Sequence, residues 1–287
     1  MPQGVRGGAR LVSQFRTWRW SPSDEAGWPA RDWLHERVET DRARWFARLA
    51  VSRPTVCPPL VFVHGVVVSG AYFQPVARLL TDDFHVYVPD IPGTGRSHVK
   101  DGSWSIAEQA RGLAEWIDLH ALGPSVLVGN SLGSQVLTML AVHRPDLVAS
   151  LVLVAPTTDP DAGTALRMML RGLRDIPRER FGLWKIWIPD LVRTGPVRGI
   201  RHLREGLADD QRDRLGTLGV PVVVVGGEDD PIAPTGWIDA MAEVIPEGRQ
   251  VIVPGAPHAM NYTNPRHLAR IIRAVAAQPA TCRGDSP

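Results

Sequence analysis

The chain has 287 residues, of which 44% are hydrophobic and 22% charged, with 32 basic side chains set against 30 acidic ones. These values exclude a disordered or fibrous polypeptide, and charges that nearly cancel and are scattered along the chain exclude nucleic acid as a partner. The most apolar stretch, 60–73, is cut by His64, Gly65, Ser69 and Gly70 and falls short of the ~20 apolar residues of a membrane span.

Apart from Lys100 and Lys185 the basic residues are all arginine, which reads as a composition bias and not as a site. Cys57 and Cys282 stand near opposite ends of the chain, so no disulfide framework is indicated and a reducing cytoplasm fits best. Residues 1–10 are polar and carry arginine without the apolar core of a secretory leader.

In chain order, a loose N-terminal extension over 1–36 carries Trp18, Trp20, Trp28 and Trp33, and 37–51 then reads as two short strands turning at 41–43, an antiparallel edge. Short runs rich in Val and Leu follow at 60–63, 85–88, 125–128, 150–154, 220–225 and 250–253, each bounded by turn residues. Continuous apolar runs of this length suit strands of a parallel sheet covered on both faces. Helical patterns alternate with them at 72–80, 105–120, 132–143, 235–244 and 265–277. Ser105 with Glu108 forms a capping box, and Asn264 before Pro265 supplies an N-cap and a first-turn proline.

The predicted fold is therefore α/β, a mostly parallel eight-stranded sheet flanked by helices. One segment breaks the alternation: 157–212 contains helical stretches at 165–173 and 197–207, punctuated by Pro177, Pro189 and Pro196, and no clear strand. It reads as a helical cap inserted after the sixth strand. The core then comprises 37–156 and 213–280, and 281–287 is a tail.

Gly129-Asn130-Ser131-Leu132-Gly133 joins a strand to a helix, the setting of a G-x-S-x-G nucleophile turn. Its glycines permit a sharp turn that projects the serine hydroxyl beside a helix N-terminus. A hydroxyl is a weak nucleophile at neutral pH and needs a base, itself oriented by an acid. His258 follows the last strand and Asp230 the one before it, giving the chain order Ser, Asp, His. Asp229 and Asp159 are the competing acids. His64-Gly65-Val66 ends the 60–63 strand, and the backbone amides of Val66 and Leu132 are the candidate oxyanion donors. His64 itself reads as structural, and the loop from Asp90 to Ser97 as an organising turn, since its glycines lack dinucleotide or P-loop spacing.

On His64-Gly65, the loop from Asp90 to Ser97, Gly129 to Gly133, Gly227 to Pro231 and Gly255 to His258, the chain resembles the α/β-hydrolase superfamily over roughly 38–277. The resemblance implies a capped serine hydrolase that needs no metal and no organic cofactor, and the offset of Asp230 from Gly227 favours it over Asp229. Members that use an aspartate nucleophile are excluded by Ser131. The sequence departs from many relatives at Val66-Val67-Val68, where an aromatic residue or glycine is usual, and this implies an apolar pocket wall.

The leading function is hydrolysis of a small-molecule carboxylic ester through an acyl-serine intermediate, by a monomer or homodimer. Thioester, lactone and carbon–carbon substrates use the same machinery, and Asn130 beside the nucleophile occurs in some relatives that cleave carbon–carbon bonds. Cofactor-free perhydrolase or haloperoxidase-like chemistry, and a non-catalytic ligand receptor, are the alternatives from other classes. Val67, Met168, Trp184 and Trp187, with Met169 and Leu183, are candidate pocket residues, and the arginines at 167, 171, 174, 178 and 180 read as a solvated face.

Overall fold

The computed structural model describes residues 17–22, 28, 33–51, 55–101, 104–157, 159, 164–246 and 248–277. The readings of 1–10, of Cys282 and of the tail 281–287 lie outside the described residues. In chain order the strands are β1 (Thr17–Pro22), β2 (Leu34–Glu39), β3 (Ala43–Ala50), β4 (Leu60–Val63), β5 (Val86–Asp90), β6 (His98–Val99), β7 (Ser125–Asn130), β8 (Val148–Val154), β9 (Val222–Gly227) and β10 (Arg249–Val253). They form one sheet in the order β1-β2-β3-β5-β4-β7-β8-β9-β10, with the two-residue β6 paired to β3. Pairing is antiparallel from β1 to the β3–β5 contact and parallel from β5 to β10.

All eight strands expected from the sequence are present, and β1 and β6 are additional. Part of the stretch that reads as a loose start is therefore built into the sheet. Trp28 and Trp33 are buried edge to face, with ring centroids 4.3 Å apart. The Arg48 guanidinium stands over Trp28 and Phe46 and reaches Asp90 at 2.7 Å, with neither charged side chain more than 1% exposed. A buried ion pair persists only when its remaining hydrogen-bonding capacity is met. Asp90 meets it by accepting from the N–H groups of Gly70 (2.8 Å) and Arg96 (2.9 Å). The loop from Asp90 to Ser97 is thus organised around its own first residue, and the backbone there turns at Gly95, with a φ of +53°.

The helices are α1 (Gln74–Arg78), α2 (Ile106–Leu119), α3 (Leu132–His143), α4 (Ala165–Asp175), α5 (Trp184–Thr194), α6 (Pro196–Ala208), α7 (Arg212–Leu215), α8 (Thr235–Val244), α9 (Met260–Thr263) and α10 (Pro265–Ala276). Right-handed crossovers put α1 and α3 on opposite faces, because the chain leaves β4 toward β5 and leaves β7 in the other direction toward β8. α10 packs with α1, and α2 with α3. Both halves of the Ser105–Glu108 capping box are formed at α2. At α10, Asn264 occupies the N-cap and Pro265 opens the first turn, but the Asn264 side chain makes no capping bond.

Between β8 and β9 the described chain is helical throughout its regular structure, from α4 to α7. Pro189, read from the sequence as a break, lies inside α5. A proline there removes one helical N–H donor, and a tertiary anchor holds the helix regardless: the buried Asp190 carboxylate accepts from the Ser69 N–H at 2.8 Å.

α3 approaches β4 closely. A Cβ on Gly133 would lie 2.2 Å from the Val63 carbonyl oxygen, which is backbone and cannot rotate away. Gly133→Ala is expected to cost about 3 kcal/mol, read as a lowered urea midpoint at unchanged m-value.

Candidate active site

The sheet reverses its direction of winding at β4: the chain passes from β4 to β5 on one side and returns to β7 on the other. The crevice outside the carboxyl ends of β4 and β7 is a topological switch point, where open α/β sheets bind ligands. Ser131 follows β7 there and Gly65-Val66 follows β4.

Ser131 has φ +57° and ψ −124°, a backbone conformation that side chains of L-residues rarely adopt. It is held by the Ser131 N–H donating to the Val154 carbonyl at 2.9 Å and by the Ser134 N–H donating to the Ser131 carbonyl at 2.9 Å. Space for the turn comes from the missing side chains around it. A Cβ on Gly129 would meet the Gly133 backbone at 2.8 Å, and one on Gly65 would stand 3.0 Å from the Ser131 Cβ and 3.4 Å from its Oγ. Leu132 opens α3, so its N–H has no intrahelical acceptor and is directed out of the helix end. Val66 and Leu132 both border a small recess beside Ser131.

Asp230 follows β9 and is buried. Its Oδ1 accepts from the N–H groups of Ile232 (2.7 Å) and Ala233 (3.0 Å), while Oδ2 lies 2.8 Å from His258 Nδ1. This contact places the ring proton on Nδ1 and leaves Nε2 as the basic atom of the neutral imidazole. Asp229 is exposed, and Asp159 is engaged by Arg171 at 2.6 Å. His64 is a buried peg: its Nε2 accepts from the Ile91 N–H at 2.9 Å and its Nδ1–H donates to the Gly65 carbonyl at 2.8 Å, fixing the loop that carries Val66. Burial holds its pKa below the usual histidine value.

Ser131 and His258 open onto one cavity of about 400 Å³. Val66, Val67, Met168, Trp184 and Trp187 line it, as do Met169 and Leu183. Of the arginines at 167, 171, 174, 178 and 180, Arg167, Arg174, Arg178 and Arg180 are exposed.

Three residues not singled out in the sequence tie the site together. The Tyr72 hydroxyl accepts from the Gly65 N–H (3.1 Å) and donates to Asn130 Oδ1 (2.7 Å), and Asn130 Nδ2 donates to the His258 carbonyl (3.4 Å). Asn130 therefore spends its amide on scaffold. Asp175, at the end of α4, accepts from the His258 N–H at 3.2 Å, and Glu179 accepts from the Ala259 N–H and the Thr263 hydroxyl at 2.6 Å each. The only local signal for this pair is its i, i+4 spacing across Pro177 in an arginine-rich stretch. Burial first, then the negative charge of Asp175, raises Glu179 to about 7. Burial, with Asp230 adding to it, raises Asp175.

A model of the alpha/beta hydrolase family matches residues 60–271. A pimeloyl-[acyl-carrier protein] methyl ester esterase of Aeromonas salmonicida is 30% identical over 244 residues, covering 75% of this chain and 94% of the relative. A 2-(acetamidomethylene)succinate hydrolase of Mesorhizobium japonicum is 26% identical, covering 75% and 86%. Among solved structures, that of an E-2-(acetamidomethylene)succinate hydrolase superposes with a TM-score of 0.70 at 22% identity, over 85% of this chain and 98% of the other, a likeness of fold.

Burial opposes a charged imidazole at His258, but the charge and hydrogen bond of Asp230, with the charges of Asp175 and Glu179, outweigh it and raise the ring to about 9. A ring acting as a base must be neutral. The rate of ester turnover is therefore expected to climb from pH 7 through about 9, and Asp230→Asn to move the midpoint down, both read from kcat/KM against pH. The sign is opposite for stability: the raised pKa favours the folded state most fully below the ring's ordinary 6.5, and this contribution is lost as pH rises through about 9.

Proposed function

Because the chain belongs to the α/β-hydrolase family, we propose that it hydrolyses carboxylic esters or related acyl substrates through an acyl intermediate on Ser131. One observation carries this reading: the Asp230–His258 contact of 2.8 Å stands on the same cavity as a serine held at positive φ. The chemistry follows from the roles these groups can fill. His258 Nε2 takes the proton as Ser131 Oγ attacks the carbonyl carbon, and Asp230 stabilises the imidazolium and keeps its tautomer. The amides of Val66 and Leu132 receive the developing oxyanion; such donors are worth ~3 kcal/mol each in the transition state. His258 then protonates the leaving alcohol, and a water molecule activated by the same ring releases the acid.

In this reading 157–212 is a cap over a core of 37–156 and 213–280, and it selects substrate through Met168, Trp184 and Trp187. Among the described residues no helix is long and apolar enough to cross a membrane. We place the enzyme in the cytoplasm on its cysteine content, acting on a small-molecule acyl substrate as a monomer or homodimer. The involvement of Asn130 in scaffold hydrogen bonds favours ester over carbon–carbon chemistry.

A fluorophosphonate probe is expected to label the wild type and not Ser131→Ala. With p-nitrophenyl esters of increasing chain length, Ser131→Ala should lower kcat by roughly 10⁵-fold or more and Asp230→Asn by about 10⁴-fold. Undiminished turnover by Ser131→Ala would overturn the assignment.

A further inference from the structure

Apart from the His258 imidazole, which is paired to Asp230, the charged side chains on the cavity beside Ser131 are acidic. The acidic side chains of its described wall are Asp175 and Glu179, and no Arg or Lys contributes to it. The basic residues of the same segment face elsewhere: Arg171 is committed to Asp159 at 2.6 Å, and Arg174, Arg178 and Arg180 are exposed. Asp175 accepts from the N–H of His258, and Glu179 from the N–H of Ala259 and the Thr263 hydroxyl. These are neutral donors. Burial raises both carboxyls, and with Glu179 at about 7 that side chain carries part of a negative charge at neutral pH.

A ligand carboxylate drawn into this space loses its hydration to an apolar wall, finds no guanidinium or ammonium to receive it, meets an imidazole whose charge Asp230 already balances, and stands against the carboxyls of Asp175 and Glu179. An uncharged chain meets only the valine, methionine and tryptophan surface. We propose that Asp175 and Glu179 are specificity-determining residues that confine the pocket to substrates without a free carboxylate, uncharged acyl esters above all. The proposal rests on reading this cavity as the substrate site of an ester hydrolase.

The test compares kcat/KM for three p-nitrophenyl esters of one chain length: hexanoate, the monoester of adipate with its terminal carboxylate, and 6-aminohexanoate with its terminal ammonium. The wild type is expected to prefer hexanoate over the adipate monoester by at least about 100-fold, and to accept the ammonium ester at least about tenfold better than the carboxylate one. Rejection of both charged esters alike would overturn the proposal, because general apolarity would then explain it. The isosteric double variant Asp175→Asn, Glu179→Gln should narrow the hexanoate-to-adipate ratio about tenfold. An unchanged ratio in a folded variant that still reacts with fluorophosphonate also overturns it.

If the wild type turns over none of the esters and takes no fluorophosphonate label, the ester-hydrolase reading fails by itself. Charge exclusion is then decided by calorimetry on Ser131→Ala with hexanamide and the monoamide of adipate: tighter binding of hexanamide than of the adipate monoamide, lost in the triple variant with Asp175→Asn and Glu179→Gln, supports it, and equal binding overturns it.

Discussion

The positive φ at Ser131 is the constraint on which the site depends. A residue held in that region costs of order 1–3 kcal/mol and persists only where its surroundings over-determine it. Here the main chain of Ser131 is bonded on both sides, to Val154 and to Ser134, and the three nearest backbone segments approach through Gly129, Gly133 and Gly65. The same geometry brings the serine oxygen, the free N–H at the start of α3 and the loop after β4 to one point.

Around that point the molecule is fastened by buried polar groups. Asp90 holds the loop that follows β5 and joins it to Arg48 of β3, so the antiparallel end of the sheet is coupled to the switch point. Asp190 ties α5 to Ser69 in the segment that follows β4. Asp175 and Glu179 tie the end of α4 and the turn beyond it to the main chain around His258. The helical segment therefore touches both the loop that supplies Val66 and the loop that supplies the base. A change in its position is felt at the site through backbone hydrogen bonds and not only through the shape of the pocket.

Much of this was legible in the residues. The Val-rich runs of β4, β7 and β8 admit one reading, since strands covered on both faces need apolar side chains at every position, and the glycine spacing around Ser131 has meaning only at a strand-to-helix turn. His258 and an acid after β9 were legible from their places in loops at the carboxyl ends of successive strands, and the choice of Asp230 over Asp229 rested on the resemblance to the α/β-hydrolases. β1 was not legible: its sequence, TWRWSP, alternates aromatic and polar residues but ends in a proline that reads as a break. α5 was missed for the same reason, since Pro189 weakens a helix locally and only the Asp190 anchor shows that it is tolerated.

Sequence by itself determined the period of most elements and the candidate serine and histidine, because these follow from local patterning and from the requirements of the turn. Tertiary structure alone decided which acidic side chain meets the imidazole, that Asn130 and Tyr72 are scaffold, and that two acidic residues from the helical segment between β8 and β9 stand in the pocket wall. Asp229 and Asp230 are adjacent in the chain and alike in chemistry. One is exposed and the other is bonded to His258 at 2.8 Å, a difference set by how β9 and β10 bring their loops together across 28 residues of chain.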